Sequence, residues 1–120
     1  MAEAGWRAYS VDLRGHGDSQ WADDGNYTLD AFAGDVVALV DELGDRPALV
    51  GASLGGIAAL TAVGESDREL ARALVLVDVA PHVEEAGAQR IGDFMRSGMD
   101  EGFASLEEAA DAVAAYNPHR

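Results

Sequence analysis

The sequence predicts an α/β fold built on a parallel β-sheet, and two observations support this prediction. Short apolar runs typical of strands occupy residues 6–13, 47–50 and 72–79. Segments with helical periodicity, residues 28–43 and 54–63, separate these runs. Strands that alternate with helices along a chain form parallel sheets with right-handed crossovers. We therefore expect a three-layer arrangement in which helices cover a parallel sheet.

The first strand and the first helix are marked by their composition and by their ends. Residues 6–13, WRAYSVDL, mix aromatic and β-branched side chains and stop at the glycine-containing loop RGHGDS. Thr28 is a candidate N-cap for an amphipathic helix that Gly44 ends. The apolar residues of this helix recur at helical spacing, at Ala31, Phe32, Val36, Leu39, Val40 and Leu43.

The following elements repeat the strand and helix pattern. Residues 47–50 form an apolar run too short for a helix, and residues 54–63 form a helical segment rich in small residues. Residues 72–79, RALVLVDV, are almost continuously apolar. Such a run is typical of a strand that is buried on both faces of a parallel sheet.

The character of the chain changes after Pro81, so we divide it in two. Residues 1–82 are expected to form the α/β core, and residues 83–120 a helical segment. Residues 84–97 and 105–116 are predicted to be helices, and the second opens with a capping box of Ser105 and Glu108. No later element is expected to return to the sheet.

Composition limits the classes of function. Lysine and arginine number 8 against 22 aspartate and glutamate residues, and the net charge is −14. A nucleic-acid-binding surface is therefore not expected. The absence of cysteine excludes disulfides and thiolate metal sites. No apolar run approaches the length of a membrane span and no leader is recognised, so we expect a cytoplasmic protein.

One serine stands at the point where a predicted strand becomes a predicted helix. The run VGASLGGIAAL places Ser53 between Gly51 and Gly55, which matches the GxSxG pattern of a nucleophile elbow. A tight strand-to-helix turn exposes the serine hydroxyl and favours small neighbours. The Leu54 amide, at the start of the helix, would then donate to a developing oxyanion. The alternative is structural: Gly51, Gly55 and Gly56 would let the helix approach the sheet, and Ser53 would be its N-cap.

Three ordered motifs together resemble the α/β-hydrolase fold family. They are DLRGHGDS after the first strand, VGASLGG at the turn and LVLVDVAP at the third strand. The chain is most similar to the serine-nucleophile branch of esterases and cofactor-free haloperoxidases, because epoxide hydrolases and haloalkane dehalogenases carry aspartate in place of Ser53. The resemblance implies that the three strands are the fourth to sixth of the family and that residues 83–120 begin a cap. It also implies hydrolysis of ester-like small molecules through an acyl-enzyme, without a cofactor.

A serine nucleophile of this family requires a histidine base and an acid. Asp78, just after the third predicted strand, is the candidate acid, although many relatives with a later acid also carry aspartate there. His16 resembles the family's structural loop histidine, His82 fits a cap or loop contact better than a base, and His119 is close to the terminus. In the family the base follows the eighth strand, and the second oxyanion amide precedes the fourth. The resemblance therefore implies a central fragment that is inactive as an isolated chain.

Two functional classes stay open at this point. The first is a serine hydrolase, and the second is a non-catalytic α/β remnant or binding domain. For the isolated chain we expect residues 6–13 and 47–50 either to pair directly or to leave a strand-wide gap, and direct pairing is the expected outcome. Self-association through exposed strand edges is the one expected contact between protein chains.

Overall fold

The computed structural model describes residues 2–80, 84–96 and 102–117. The chain divides into two compact units, residues 1–79 and residues 80–120. A short 3-10 turn at Ala2–Ala4 opens the first unit. Within this unit lie helix α1 (Leu29–Leu43), strand β1 (Ala48–Ala52), helix α2 (Ser53–Glu65) and strand β2 (Ala73–Val77).

Helix α1 begins and ends where its sequence signals predict. The Thr28 hydroxyl accepts a hydrogen bond from the Ala31 amide, which satisfies a first-turn donor that has no partner within the helix. Gly44 adopts a left-handed backbone with φ of 66° and donates its N–H to the Asp41 carbonyl. The left-handed turn is accessible to glycine because it carries no Cβ.

Strands β1 and β2 form a parallel sheet, and this confirms the predicted α/β class. Their register runs from Ala48 beside Ala73 to Ala52 beside Val77, with α2 in the crossover. Helix α2 contacts both strands and also packs on α1. Because paired strands in register end together, the residues that follow Ala52 and Val77 share one edge of the sheet.

The first predicted strand is not formed, and this part of the prediction was wrong. Residues 6–13 have no regular structure, and the sheet of the described residues contains only β1 and β2. A strand exists only where a neighbour accepts and donates its backbone hydrogen bonds. An open space of about 1630 Å³, here called the inter-strand cleft, is lined by all of residues 6–13 and all of β1. The expected direct pairing is therefore also wrong, and the gap is observed.

Strand β2 differs from the prediction in its burial. Its sequence predicts a strand covered on both faces, yet Val75, Leu76 and Val77 are exposed. The prediction assumed covering layers on both sides, whereas the helices of the first unit cover only part of the strand. The apolar side chains beyond that contact lie in solvent.

The core of the first unit lies where α1 meets α2. Leu70 and Val40 are the largest fully buried side chains, and they form one cluster with Ala33 and Ala62. Partly buried side chains from α1, α2 and β1 pack against this cluster, namely Val36, Val37, Leu49 and Val63. The small side chains of α2 allow α1 and α2 to approach closely. As a result, α2 buries one face although it is short.

The second unit contains helices α3 (Glu85–Arg96) and α4 (Leu106–Tyr116). The predicted cap of α4 is present, since the Ser105 hydroxyl accepts from the Glu108 amide. The Phe94 and Tyr116 rings stack at 4.1 Å, and Arg90 lies 5.0 Å from the Tyr116 ring, which joins the two helices. Residue 97, predicted as the end of the first of these helices, lies outside the described residues. None of the helices described is both long and apolar enough to cross a membrane.

Candidate active site

Ser53 occupies the turn between β1 and α2 with an uncommon backbone conformation. Its φ is 46°, in the left-handed region that side chains other than glycine rarely adopt. Ala52 before it is still extended, with φ of −110° and ψ of 142°, and α2 starts at Ser53 itself. The chain therefore changes from strand to helix within one residue. Ser53 is exposed at this tip, as expected for a nucleophile elbow.

The glycines around Ser53 differ in their structural role. A Cβ on Gly51 would lie 2.5 Å from the Gly55 carbonyl oxygen and 2.7 Å from Gly56 Cα. A Cβ on Gly56 would clash with Val79 Cγ2 and would lie 2.8 Å from the Gly51 oxygen. By contrast, a Cβ on Gly55 meets nothing within 4 Å. Gly51 and Gly56 therefore allow β1 and α2 to touch, whereas the Cβ position of Gly55 does not lie at this close contact.

The alternative role of Ser53 as a helix N-cap is not observed. The N-cap of α2 is Ala52, and no side chain caps this helix end. The Ser53 hydroxyl makes no hydrogen bond within the described part of the chain. The hydroxyl is therefore neither a cap nor engaged with a described neighbour.

The start of α2 can stabilise negative charge. Leu54 is the second residue of the helix, and first-turn N–H groups have no acceptor within their own helix. No acidic side chain lies in this first turn. The positive end of the helix dipole is therefore not neutralised locally, and the Leu54 amide is a suitable donor to an anion beside Ser53.

Asp78 has the second unusual backbone at the same edge of the sheet. Its φ is 53°, and it follows the last residue of β2 directly. Ala52 pairs with Val77, so Ser53 and Asp78 come one residue beyond a matched pair of neighbouring strands. Neighbouring strands lie about 4.8 Å apart. The structure thus brings the candidate nucleophile and the candidate acid to adjacent positions.

Among the described residues, no histidine makes a hydrogen bond with Ser53. His16 lies in the RGHGDS loop, where its Nδ1 is 3.0 Å from the Arg14 carbonyl oxygen and its ring meets Phe32 edge-on at 6.4 Å. Since a carbonyl oxygen only accepts, this contact requires a proton on Nδ1. The first contact lies within the loop, and the second joins the loop to α1. His82 and His119 lie outside the described residues.

Sequence reasoning missed an ion pair that fixes the same loop. Arg14 Nε and Nη2 donate to the two carboxylate oxygens of Asp35 at 2.6 and 2.5 Å, and Nη1 donates to the Asn26 carbonyl. These hydrogen bonds hold the pKa of Asp35 below its ordinary value of 3.8 and raise that of Arg14. The only local signal was an arginine inside the loop motif, because Asp35 lies 21 residues further on.

The loop itself is closed by further hydrogen bonds. The Asp12 carboxylate accepts from the Asp18 amide, and the Ser19 hydroxyl donates to the Asp12 carbonyl. A Cβ on Gly17 would clash with the Asp12 carboxylate, and its φ of 49° is one that other residues rarely adopt, so glycine is favoured there. Residues that follow this loop line the inter-strand cleft, and so do Ala52 and Gly55 beside Ser53.

The chain, with a strained serine at the strand-to-helix turn of a parallel α/β unit, can now be compared with known protein families. The sequence profile of the alpha/beta hydrolase fold matches residues 1–117. The chain belongs to the α/β-hydrolase fold family. The resemblance carried by the three sequence motifs is thereby confirmed, together with the fold class.

Curated relatives of this α/β-hydrolase chain are esterases and lipases. Esterase Rv0045c of Mycobacterium tuberculosis is 36% identical over 119 residues, which cover 94% of this chain and 39% of the relative. Lipase LipV of the same organism is 35% identical over 111 residues, covering 89% and 41%. The mouse sn-1-specific diacylglycerol lipase ABHD11 is 39% identical over 97 residues, covering 79% and 30%.

The chain thus spans about two fifths of the length of the first two relatives. No solved structure is significantly similar to it. Among the residues that the structure describes, no group of histidine, aspartate and glutamate side chains is arranged to hold a metal ion.

Proposed function

We propose that this α/β-hydrolase chain carries the nucleophile of an enzyme that hydrolyses ester-like small molecules. One observation carries the proposal: Ser53 has a left-handed backbone at the exposed tip of the β1 to α2 turn. Backbone strain of this kind concentrates at active sites. The esterase and lipase names of the relatives support the substrate class.

The chemistry follows from the position of Ser53. Its Oγ attacks the ester carbonyl carbon, and the carbonyl oxygen becomes an oxyanion that the Leu54 amide stabilises. When the bond from the carbonyl carbon to the alcohol oxygen breaks, the base passes the proton taken from Ser53 Oγ to the leaving alcohol, and the acyl group stays on Ser53. Water then attacks the acyl-enzyme, which releases the acid and restores the serine. Hydrogen peroxide in place of water would give a peracid, as the haloperoxidase-like resemblance implies, and neither route requires a cofactor.

We assign Asp78 as the acid that orients the base. A histidine that removes the serine proton needs a carboxylate to fix its orientation and to stabilise its charged form. The position of Asp78 supports this role, because Asp78 follows β2 at the same edge of the sheet where Ser53 follows β1. It is exposed, and it takes part in none of the ion pairs of the described residues.

A second function, a non-catalytic α/β domain, is favoured by one observation. No histidine of the described residues makes a hydrogen bond with Ser53. Serine is a weak nucleophile without a base, and removal of a triad member costs about 10⁴ to 10⁶ in kcat. We therefore propose that the isolated 120-residue chain does not turn over esters, and that a longer protein containing it does.

Side-by-side rate assays on a short activated ester test these proposals. In the 120-residue chain, Ser53→Ala should leave the rate unchanged. In a protein lengthened at both ends with the neighbouring genomic coding sequence, Ser53→Ala should abolish turnover and labelling by a serine-directed phosphonate, whereas Ser10→Ala should not. Full activity of the lengthened Ser53→Ala variant would refute the nucleophile. Turnover by the short chain that depends on Ser53 would refute its inactivity.

The role of Asp78 is tested separately in the lengthened protein. Asp78→Asn removes the charge and keeps a side chain that tolerates a positive φ. If Asp78 orients the base, kcat should fall by about 10³ to 10⁴ with KM little changed. The control Asp67→Asn, at another exposed aspartate, should leave kcat within about twofold. A similar kcat in both variants would refute the assignment.

A further inference from the structure

The residue that follows Asp78 packs on the helix that begins at Ser53. A Cβ placed on Gly56, in α2, would clash with Val79 Cγ2, so this methyl group occupies the space that a side chain at position 56 would fill. Gly56 is buried and Val79 is partly buried. Val79 is therefore in direct contact with the backbone of α2.

The same glycine also lies against the strand that leads to Ser53. A Cβ on Gly56 would be 2.8 Å from the Gly51 carbonyl oxygen. Gly51 comes shortly before Ser53 in the chain and Gly56 comes shortly after it, while Val79 follows Asp78 directly. The contact between Val79 and Gly56 therefore joins the turn at Asp78 to the turn at Ser53.

The turn at Asp78 requires support from its surroundings. Its φ of 53° is unfavourable for a residue that carries a Cβ, and such a backbone persists only where the neighbouring structure holds it. The Asp78 side chain is exposed, and no group of the described residues forms a hydrogen bond or an ion pair with its carboxylate. The position of the carboxylate is therefore set by the backbone of the turn.

Valine is a suitable residue to hold this turn. Both of its methyl groups are attached to Cβ, which restricts its single side-chain torsion. When Cγ2 is fixed against Gly56, the Val79 backbone and the peptide bond that joins it to Asp78 lose most of their freedom. Gly56 lies inside α2 and offers only backbone atoms, so it cannot rotate away from the contact.

We propose that Val79 is a positioning residue for Asp78. Its contact with Gly56 holds the left-handed turn, and the turn holds the carboxylate at the edge of the sheet where Ser53 lies. This inference rests on the proposed roles of Ser53 as nucleophile and Asp78 as acid. Val79 acts through Asp78 and takes no direct part in the reaction. If Val79 only packed the chain on α2, its loss would lower stability and leave catalysis unchanged.

The backbone at Asp78 gives a test that does not depend on activity. Backbone chemical shifts, measured by nuclear magnetic resonance on the 120-residue chain, distinguish a left-handed residue from one in other conformations. Val79→Ala should move the Asp78 shifts away from left-handed values. The control Val63→Ala removes the same two methyl groups from another partly buried valine, in α2, and should leave them unchanged. A left-handed Asp78 in the Val79→Ala variant would refute the proposal.

Kinetics of the lengthened protein test the effect on catalysis. A catalytic group misplaced by about 1 Å costs about 10²-fold in rate, so Val79→Ala should lower kcat by about 10- to 100-fold and leave KM within about twofold. Val79→Ile keeps the Cγ2 methyl group and should keep kcat within about threefold. Val63→Ala should lower Tm but leave kcat within about twofold. Equal kcat values for Val79→Ala and Val63→Ala would overturn the inference.

A double-mutant cycle separates positioning from packing. If Val79 acts through Asp78, adding Val79→Ala to the Asp78→Asn variant should change kcat by no more than about twofold, because the carboxylate that it positions is already gone. A loss of the same size in both backgrounds would mean that Val79 acts independently, which overturns this inference and leaves the acid role of Asp78 intact. An unchanged kcat in Asp78→Asn alone would instead refute the acid role, and this inference with it.

Discussion

The closest backbone approach at the candidate site supports a sharp prediction about Gly51. Gly51→Ala and Gly55→Ala add the same methyl group to the two glycines of the GxSxG pattern. The Gly51 methyl would lie 2.5 Å from the Gly55 carbonyl oxygen, whereas the Gly55 methyl would meet nothing within 4 Å. The two substitutions should therefore have opposite effects on stability.

The expected magnitudes follow from these contacts. Ordinary contact between carbon and oxygen begins near 3.4 Å, so Gly51→Ala requires β1 and α2 to separate by about 1 Å at this point. Both contacting groups are backbone and cannot rotate away, which places the cost near the upper end of the usual 1–3 kcal/mol for overpacking. Gly55→Ala replaces a glycine inside a helix without a clash, and it should stabilise the protein by about 0.5–1 kcal/mol.

Thermal unfolding followed by circular dichroism at 222 nm measures both effects. For a unit of this size about 1 kcal/mol corresponds to roughly 4–8 °C in Tm. Gly51→Ala should lower Tm by about 10 °C or more, and Gly55→Ala should raise it by a few degrees. Gly64→Ala, another helical glycine with open space around its Cβ position, is the control and should behave like Gly55→Ala. Equal Tm values for Gly51→Ala and Gly55→Ala would refute this account of the elbow.

Two further predictions concern the core and the loop. Leu70→Ala removes the most buried large side chain of the first unit and should lower the free energy of unfolding in urea by about 2–5 kcal/mol. The control Leu106→Ala, at an 86% exposed position, should lower it by less than about 0.5 kcal/mol. The hydrogen bonds from Arg14 hold the pKa of Asp35 in the folded protein below 3.8. The ionised carboxylate therefore stabilises the folded state above about pH 4. This contribution is lost as the pH falls toward the lowered pKa of the folded state. Asp35→Asn should therefore lower Tm near pH 7 and flatten its decline below about pH 4, and a decline as steep as in the unchanged protein would contradict this origin.

Features specified by short stretches of sequence could be predicted. Thr28 and Gly44 mark the two ends of α1. Both ends were predictable because a helix cap and a left-handed turn each depend on only a few neighbouring residues. The turn at Ser53 was predictable for the same reason, since a strand end, a serine and a helix start follow each other within eleven residues. Even there the pattern did not show that the Cβ positions of Gly51 and Gly56, rather than that of Gly55, lie at the close contact. Whether a Cβ fits depends on how β1 and α2 cross, and the pattern of residues does not contain that geometry.

Features that depend on distant partners could not be predicted. Residues 6–13 have strand composition but no regular structure, because strand pairing needs a neighbour at hydrogen-bonding distance and none of the described residues provides one. The exposure of β2 has the same cause. An apolar run indicates that a strand is suited to burial, but it does not show whether elements that cover the strand are present. The pair of Arg14 and Asp35 joins a loop to a helix, and no local pattern links the two residues.

The distribution of left-handed residues argues for the pairing of Ser53 with Asp78 independently of the sequence motifs. Among the described residues, glycine occupies six of the eight positions with positive φ, and Ser53 and Asp78 occupy the others. A side chain in this region costs of order 1–3 kcal/mol, which other interactions of the folded state must offset, and glycine avoids the cost. The chain uses glycine freely at other turns but retains a hydroxyl and a carboxylate at two neighbouring strand ends. The proposed roles, a nucleophile at Ser53 and the carboxylate of Asp78 that orients its base, would account for a non-glycine residue at both positions.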